Sequence, residues 1–144
     1  QANDYLIIKG DSMFLHNVPE NSRKSFIDLA YTIMGIDNMY ADQEKIALRS
    51  CQEELELTQY QGKIIDLNDV KNMFSNDRSL RGEIYFELLC IVLADSEYSD
   101  EEVQAMRLIR EAWNIPDELD QTLQDIVRNI NRNYARACVL LSQL

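Results

Sequence analysis

The residues best suited to chemistry are six carboxylates at matched places in two short bends. Asp37, Asp42 and Glu44 fall within one bend, and Asp95, Asp100 and Glu102 repeat their spacing 58 residues later. Clustered acids repel one another, and a hard divalent cation such as calcium or magnesium relieves that repulsion through oxygen ligands. Glu97 is an auxiliary ligand on this reading. The D-x-D-x-D-G series of an EF-hand is absent and the loop is far shorter, so backbone carbonyls and waters must complete any shell. A second reading needs no ion. Asp37 follows Ile33 and Met34, and Asp95 follows Ile91 and Val92, so each continues an apolar stripe at the negative end of a helix dipole. The first amides of the next helix then receive these carboxylates, with Asp42, Glu44, Asp100 and Glu102 as first-turn acids and cap partners. From the residues alone both readings stand.

Other chemistries lack their parts. His16 is the sole histidine, so zinc of the Cys/His type has no ligand set. Gly-rich phosphate loops, a G-x-S-x-G elbow and a Cys/His pair are all missing, and the expectation is that the chain is not an enzyme. Cys51, Cys90 and Cys138 sit in helical patterns beside apolar residues, which reads as three reduced core cysteines in a cytoplasmic protein. The net charge of −11, from 25 acids against 14 bases, repels phosphate backbones and attracts metal ions or a basic protein partner. No nucleic-acid role is expected. The most apolar stretch, Ile84–Ala94, is interrupted by Glu87 and is shorter than the ~20 residues of a membrane span, so no membrane insertion is expected.

The elements that must position the acids read as helices. With 144 residues, two prolines and four glycines, one all-α domain over residues 1–144 is expected, a bundle of about six to seven helices. Residues 1–12 are an ambiguous arm, with Tyr5-Leu6-Ile7-Ile8 a short strand or docked segment. A turn at Met13–His16 has Asp11 or Ser12 as its cap. The first long helix begins near Pro19, carries the stripe Phe26, Leu29, Ala30, Ile33 and Met34, and ends around Ile36-Asp37. The next runs from Asp42 to Leu55, burying Ile46, Ala47, Cys51 or Ser50, and Leu55. After a linker at Thr58–Asp66 come a short helix near Leu67–Phe74 and a stop-and-cap at Ser75-Asn76-Asp77.

The helix Arg78–Ala94 is apolar around much of its circumference, as a central helix must be. Ser99-Asp100-Glu101-Glu102 opens the following one with a capping box, continuing through Val103, Met106, Ile109 and Trp113. A last helix from Pro116 to about Ser142 spans roughly 40 Å, long enough to brace both repeats. Its Arg128, Arg132 and Arg136 form a basic stripe, either a solvated face paired with neighbouring acids or a dock for an acidic partner.

The helix–loop–helix occurs twice, in repeat units over about 19–57 and 78–115. Ile33, Asp37, Tyr40, Asp42, Glu44, Ala47, Arg49 and Glu53 match Ile91, Asp95, Tyr98, Asp100, Glu102, Ala105, Arg107 and Glu111. Repetition of this kind means two units stacked on one core. Tyr40 and Tyr98 are read as rings plugging each bend onto that core.

Leu93–Glu102, following Phe86-Glu87-Leu88-Leu89, resembles the signature of the TerB-like tellurite-resistance domains. Ile36–Glu44, following Phe26-Ile27-Asp28-Leu29-Ala30, resembles its partner in the other half. The resemblance covers about residues 13–115. It implies an all-helical fold with internal duplication and a bacterial stress-response role in protein complexes. It also implies metal binding by Asp37, Asp42, Glu44, Asp95, Asp100 and Glu102. The glycine usual after the aspartate is Asn38 in one copy and Ser96 in the other, and Ala41 stands where a Ser/Thr cap belongs. A tellurite anion would meet a strongly negative surface, so a protein partner, with a divalent cation such as calcium or magnesium, is the expected company of this domain. The rival expectation is a structural interaction module whose acids are only caps.

Overall fold

The computed structural model describes residues 12–38, 40–74, 77–95 and 97–144. The arm expected over residues 1–12 lies outside these apart from Ser12, as do Ser75, Asn76 and Ser96. The described residues are all helical, without a strand: α1 (Arg23–Met34), α2 (Asp42–Glu54), α3 (Arg78–Val92), α4 (Asp100–Ala112) and α5 (Asp117–Leu141). Short 3-10 segments occupy Leu15–Asn17, Glu20–Ser22 and Leu67–Asn72. Counting the six-residue segment with the α-helices gives an all-α bundle of six.

Local chemistry sets the helix starts. The Ser12 hydroxyl accepts from the Leu15 amide (3.1 Å) and opens the first turn. Pro19 introduces the Glu20–Ser22 turn that feeds α1. Asp77 Oδ1 accepts from the Leu80 amide (2.9 Å) and caps α3. Ser99 and Glu102 form the expected capping box on α4. The stops of α2 and α4 are alike: Glu56 (φ 61) and Asn114 (φ 58) turn left-handed. The Leu57 amide then bonds the Gln52 carbonyl at 2.7 Å, and the Ile115 amide bonds the Arg110 carbonyl at 2.8 Å. These are Schellman terminations, and every atom pair in one has its counterpart 58 residues away. The duplication therefore extends to backbone hydrogen bonds.

The core lies between α1 and α3. Phe26, Ile27, Leu29 and Ile33 of α1 and Ile84, Leu88 and Leu89 of α3 are fully or almost fully buried. The α3 helix packs against α1, α2 and α5, which explains why its apolar residues encircle it. Three buried polar anchors tie the connections down. Asp28 Oδ1 accepts from the Tyr60 hydroxyl (2.6 Å) and the Lys63 amide (2.9 Å), fastening the Thr58–Asp66 linker across α1. Trp113 Nε1 donates to the Val70 carbonyl (2.9 Å), holding the Leu67–Asn72 segment against α4. Asp120 receives the Tyr85 hydroxyl (2.5 Å) and the Gln124 side-chain amide (2.9 Å), seating the start of α5 on α3.

Three expectations need correction. Ile46 is 52 % exposed, and Leu48 occupies the buried place on α2 instead. Cys138 is exposed, not in the core. The α5 helix packs chiefly along α3 of the second repeat and does not brace both copies: its last buried residue is Val127. Asn131 donates to the Leu93 carbonyl (3.1 Å), and from Ala135 onward every residue of the chain is exposed. The body ends before the helix does.

Replacing Asp28 with alanine strips two inward-facing donors of their acceptor, and each orphaned donor costs about 1–3 kcal/mol. Urea denaturation followed by Trp113 fluorescence should show a loss of about 2–4 kcal/mol for Asp28→Ala. A loss below about 0.5 kcal/mol would mean that the linker is not held by this carboxylate.

Candidate cation site at the paired acidic bends

The first bend leaves α1 at Gly35 and turns back through Asn38 and Tyr40, both at positive φ (60° and 37°). Asparagine takes the left-handed conformation at low cost. Gly35 matters for another reason: a Cβ there would collide with the Tyr40 hydroxyl, so glycine leaves room for that ring to fold back over the helix end. Tyr40 stacks at a tilt on Tyr31, ring centroids 6.0 Å apart. Tyr98 is half-buried against the core in the second bend. Both rings plug their bends onto the core, as the repeat implied.

Each bend delivers a glutamate as the third residue of the next helix, Glu44 in α2 and Glu102 in α4. They are 3 % and 1 % exposed, and their carboxyls meet. Burial, then the hydrogen bond and charge of Glu102, then the charges of Asp95 and Asp37, push the Glu44 carboxyl up to about 9. Burial also raises Glu102, opposed by its contact with Glu44 and by the Ser99 amide, which donates to its Oε1 (3.2 Å). Glu102 Oε2 is buried without a donor when both carboxyls are ionised. With the Glu44 carboxyl raised to about 9, a proton on it leaves the pair a single negative charge between two helix N-termini near neutral pH.

The six predicted acids thus separate. Glu44 and Glu102 come together in the interior, while Asp37 and Asp95 are half-buried and near enough for their charges to bear on Glu44. Asp42 and Asp100 are exposed first-turn residues. Among the described residues, no three His, Cys, Asp or Glu side chains stand grouped as a ready ligand set. Caps account for part of the pattern. Ser99 and Glu102 satisfy each other, but Ala41 has no side chain to cap α2, so the first copy lacks a box. Asp95 Oδ1 accepts from the amide of Glu97 (2.9 Å) within the bend, not from the first turn of α4.

Two residues with no counterpart in the first bend stand beside the second. Arg128 and Arg132 of α5 line an open cleft of about 360 Å³ together with Leu93, Ala94, Asp95, Tyr98 and Asn131. Arg128 donates to Gln124 (3.0 Å) and Arg132 to Asn129 (2.6 Å), and neither makes an ion pair among the described residues. Their four-residue spacing was visible in the sequence, but not which bend they would reach. Another buried carboxyl, Glu87, accepts from the Phe14 amide (3.0 Å), and burial raises it to about 7. His16, the only histidine, is exposed.

No protein-family model matches the chain, and comparisons with curated proteins and with solved structures find no match.

Between Glu44's ordinary value of 4.5 and its folded value of about 9, the native chain binds a proton that the unfolded chain has lost. Stability supplied by that proton is present at low pH and falls as pH rises through this window. Urea melts at several pH values across it should show Glu44→Gln gaining on the wild type as pH increases. A difference independent of pH would rule out the resident proton. Removing the α4 cap with Ser99→Ala should cost about 1 kcal/mol, and supplying one to α2 with Ala41→Ser should gain about 0.5–1 kcal/mol in the same assay.

Proposed function

We propose that this chain is a non-catalytic, TerB-like helical module of the bacterial cytoplasm that docks a protein partner and holds a divalent cation between its two acidic bends. The observation that supports this most is the meeting of Glu44 and Glu102, one from each copy, around a single proton with Asp37 and Asp95 close by. A buried oxygen lacking a donor is a place where a cation can stand in for a proton. Calcium or magnesium fits an all-oxygen donor set. Glu44, Glu102, Asp37 and Asp95 would hold it, with the exposed Asp42 and Asp100 closing in. The resemblance of Ile36–Glu44 and Leu93–Glu102 to the tellurite-resistance domains supports the same assignment, as does the net charge of −11. Among the described residues no helix is long and apolar enough to cross a membrane.

A purely structural module is the second reading. The capping box at Ser99 favours it, because that box explains the acids of α4 without an ion.

Thermal melts with calcium, magnesium or manganese separate the two. Binding to the native state should raise the melting temperature with concentration, by about 2.7 kcal/mol of stability at a hundredfold excess over Kd. The rise should grow with pH, since the ion displaces a proton, and Asp37→Asn combined with Asp95→Asn should abolish it. No rise with any ion leaves the structural reading in place.

A further inference from the structure

The outer flank of α5 carries a second pattern that the body of the domain covers only in part. Leu119, Leu123, Ile126 and Ile130 recur at alternating steps of four and three, and Asn133, Ala137, Leu140 and Leu144 continue the series. That is a heptad seam, offset around the helix from the buried Asp120, Gln124 and Val127 that face the body. The seam is open at Leu119 (45 % exposed), Ile126 (42 %) and Leu140 (56 %), while Leu123 and Ile130 are half-buried with one side against the core.

Charge says what covers it. Residues 128–144 contain Arg128, Arg132 and Arg136 and no acid, and taking that +3 from the chain's −11 leaves −14 on residues 1–127. Of the acids in the first half of α5, Asp120 is buried and Asp117 pairs with Arg110 (2.6 Å), while Glu118 and Asp125 are exposed. A basic half and an acidic half on one helix complement each other when two copies run antiparallel.

We propose that two copies of this chain associate through an antiparallel pairing of their α5 helices. In this register Leu119 meets Leu144, Leu123 meets Leu140, Ile126 meets Ala137 and Ile130 meets Asn133, four layers that each occur twice. Arg136 of one copy then lies within a turn of Asp125 of the other. Asn133 in an otherwise apolar seam fixes the register, the use to which such a residue is put in coiled coils. A seam roughly 35 Å long buries on the order of 1,000 Å² in total, the lower limit for a specific interface, so the pairing is weak and is to be sought from about 1 to 100 µM.

Sedimentation of the full chain over that range should give twice the 16.8 kDa monomer mass at the upper end. Leu140→Glu, an exposed position, should leave helix content unchanged and shift association to at least tenfold higher concentration. Cys138 is the exposed cysteine and takes a spin label in a Cys90→Ala background. The two labels should lie about 20 Å apart along the pair axis, against about 10 Å side to side for parallel helices. A wild type that stays monomeric above about 100 µM, a dimer indifferent to Leu140→Glu, or labels at the shorter separation each overturn the proposal.

Discussion

Two like carboxyls facing each other in the interior constrain everything around them. Glu44 and Glu102 are tolerable there only because one proton is held on Glu44 and because both sit in the first turn of a helix, where exposed amides favour negative charge. Their meeting requires α2 and α4 to start at the same point of the core, which in turn requires α1 and α3 to end there. The bends must then be tight enough to deliver the glutamates at once. Tyr40 and Tyr98 close them, and Gly35 makes room for the first ring. The repeated Schellman stops at Glu56 and Asn114 finish each copy in the same way. Duplication here is a geometric necessity of the paired acids as much as a record of sequence.

Much of this framework was legible in the residues. Periodicity located the helices, Asp77 and Ser99 announced their caps, and the 58-residue offset revealed both copies. These signals are local, so a single sequence contains them. What was not legible depends on distance. The stripe of α2 admits either Ile46 or Leu48 inside, and only the placement of α1 and α3 selects Leu48. The continuous stripe of α5 gives the length of a helix, but the extent of the body it lies on decides how much is covered. Asp28 with Tyr60 and Asp120 with Tyr85 are pairs separated by 32 and 35 residues, and no spacing rule joins them.

The candidate site was partly readable for the same reason. Six acids at repeated positions could be named from sequence, yet they do not act as six equivalents. The third residue of a helix faces back toward its start, so Glu44 and Glu102 turn inward, while Asp42 and Asp100, at the first helical position, turn out to water. A helical-position argument could have drawn that division. It could not have placed the two helix starts against each other.

The α5 helix breaks the twofold relation, since nothing in the first copy answers to it. Arg128 and Arg132 stand beside the second bend alone and offset part of the charge of Asp95, Glu97, Asp100, Glu101 and Glu102 there. One appended helix thus gives the second copy of the repeat a pair of arginines beside its bend that the first copy lacks.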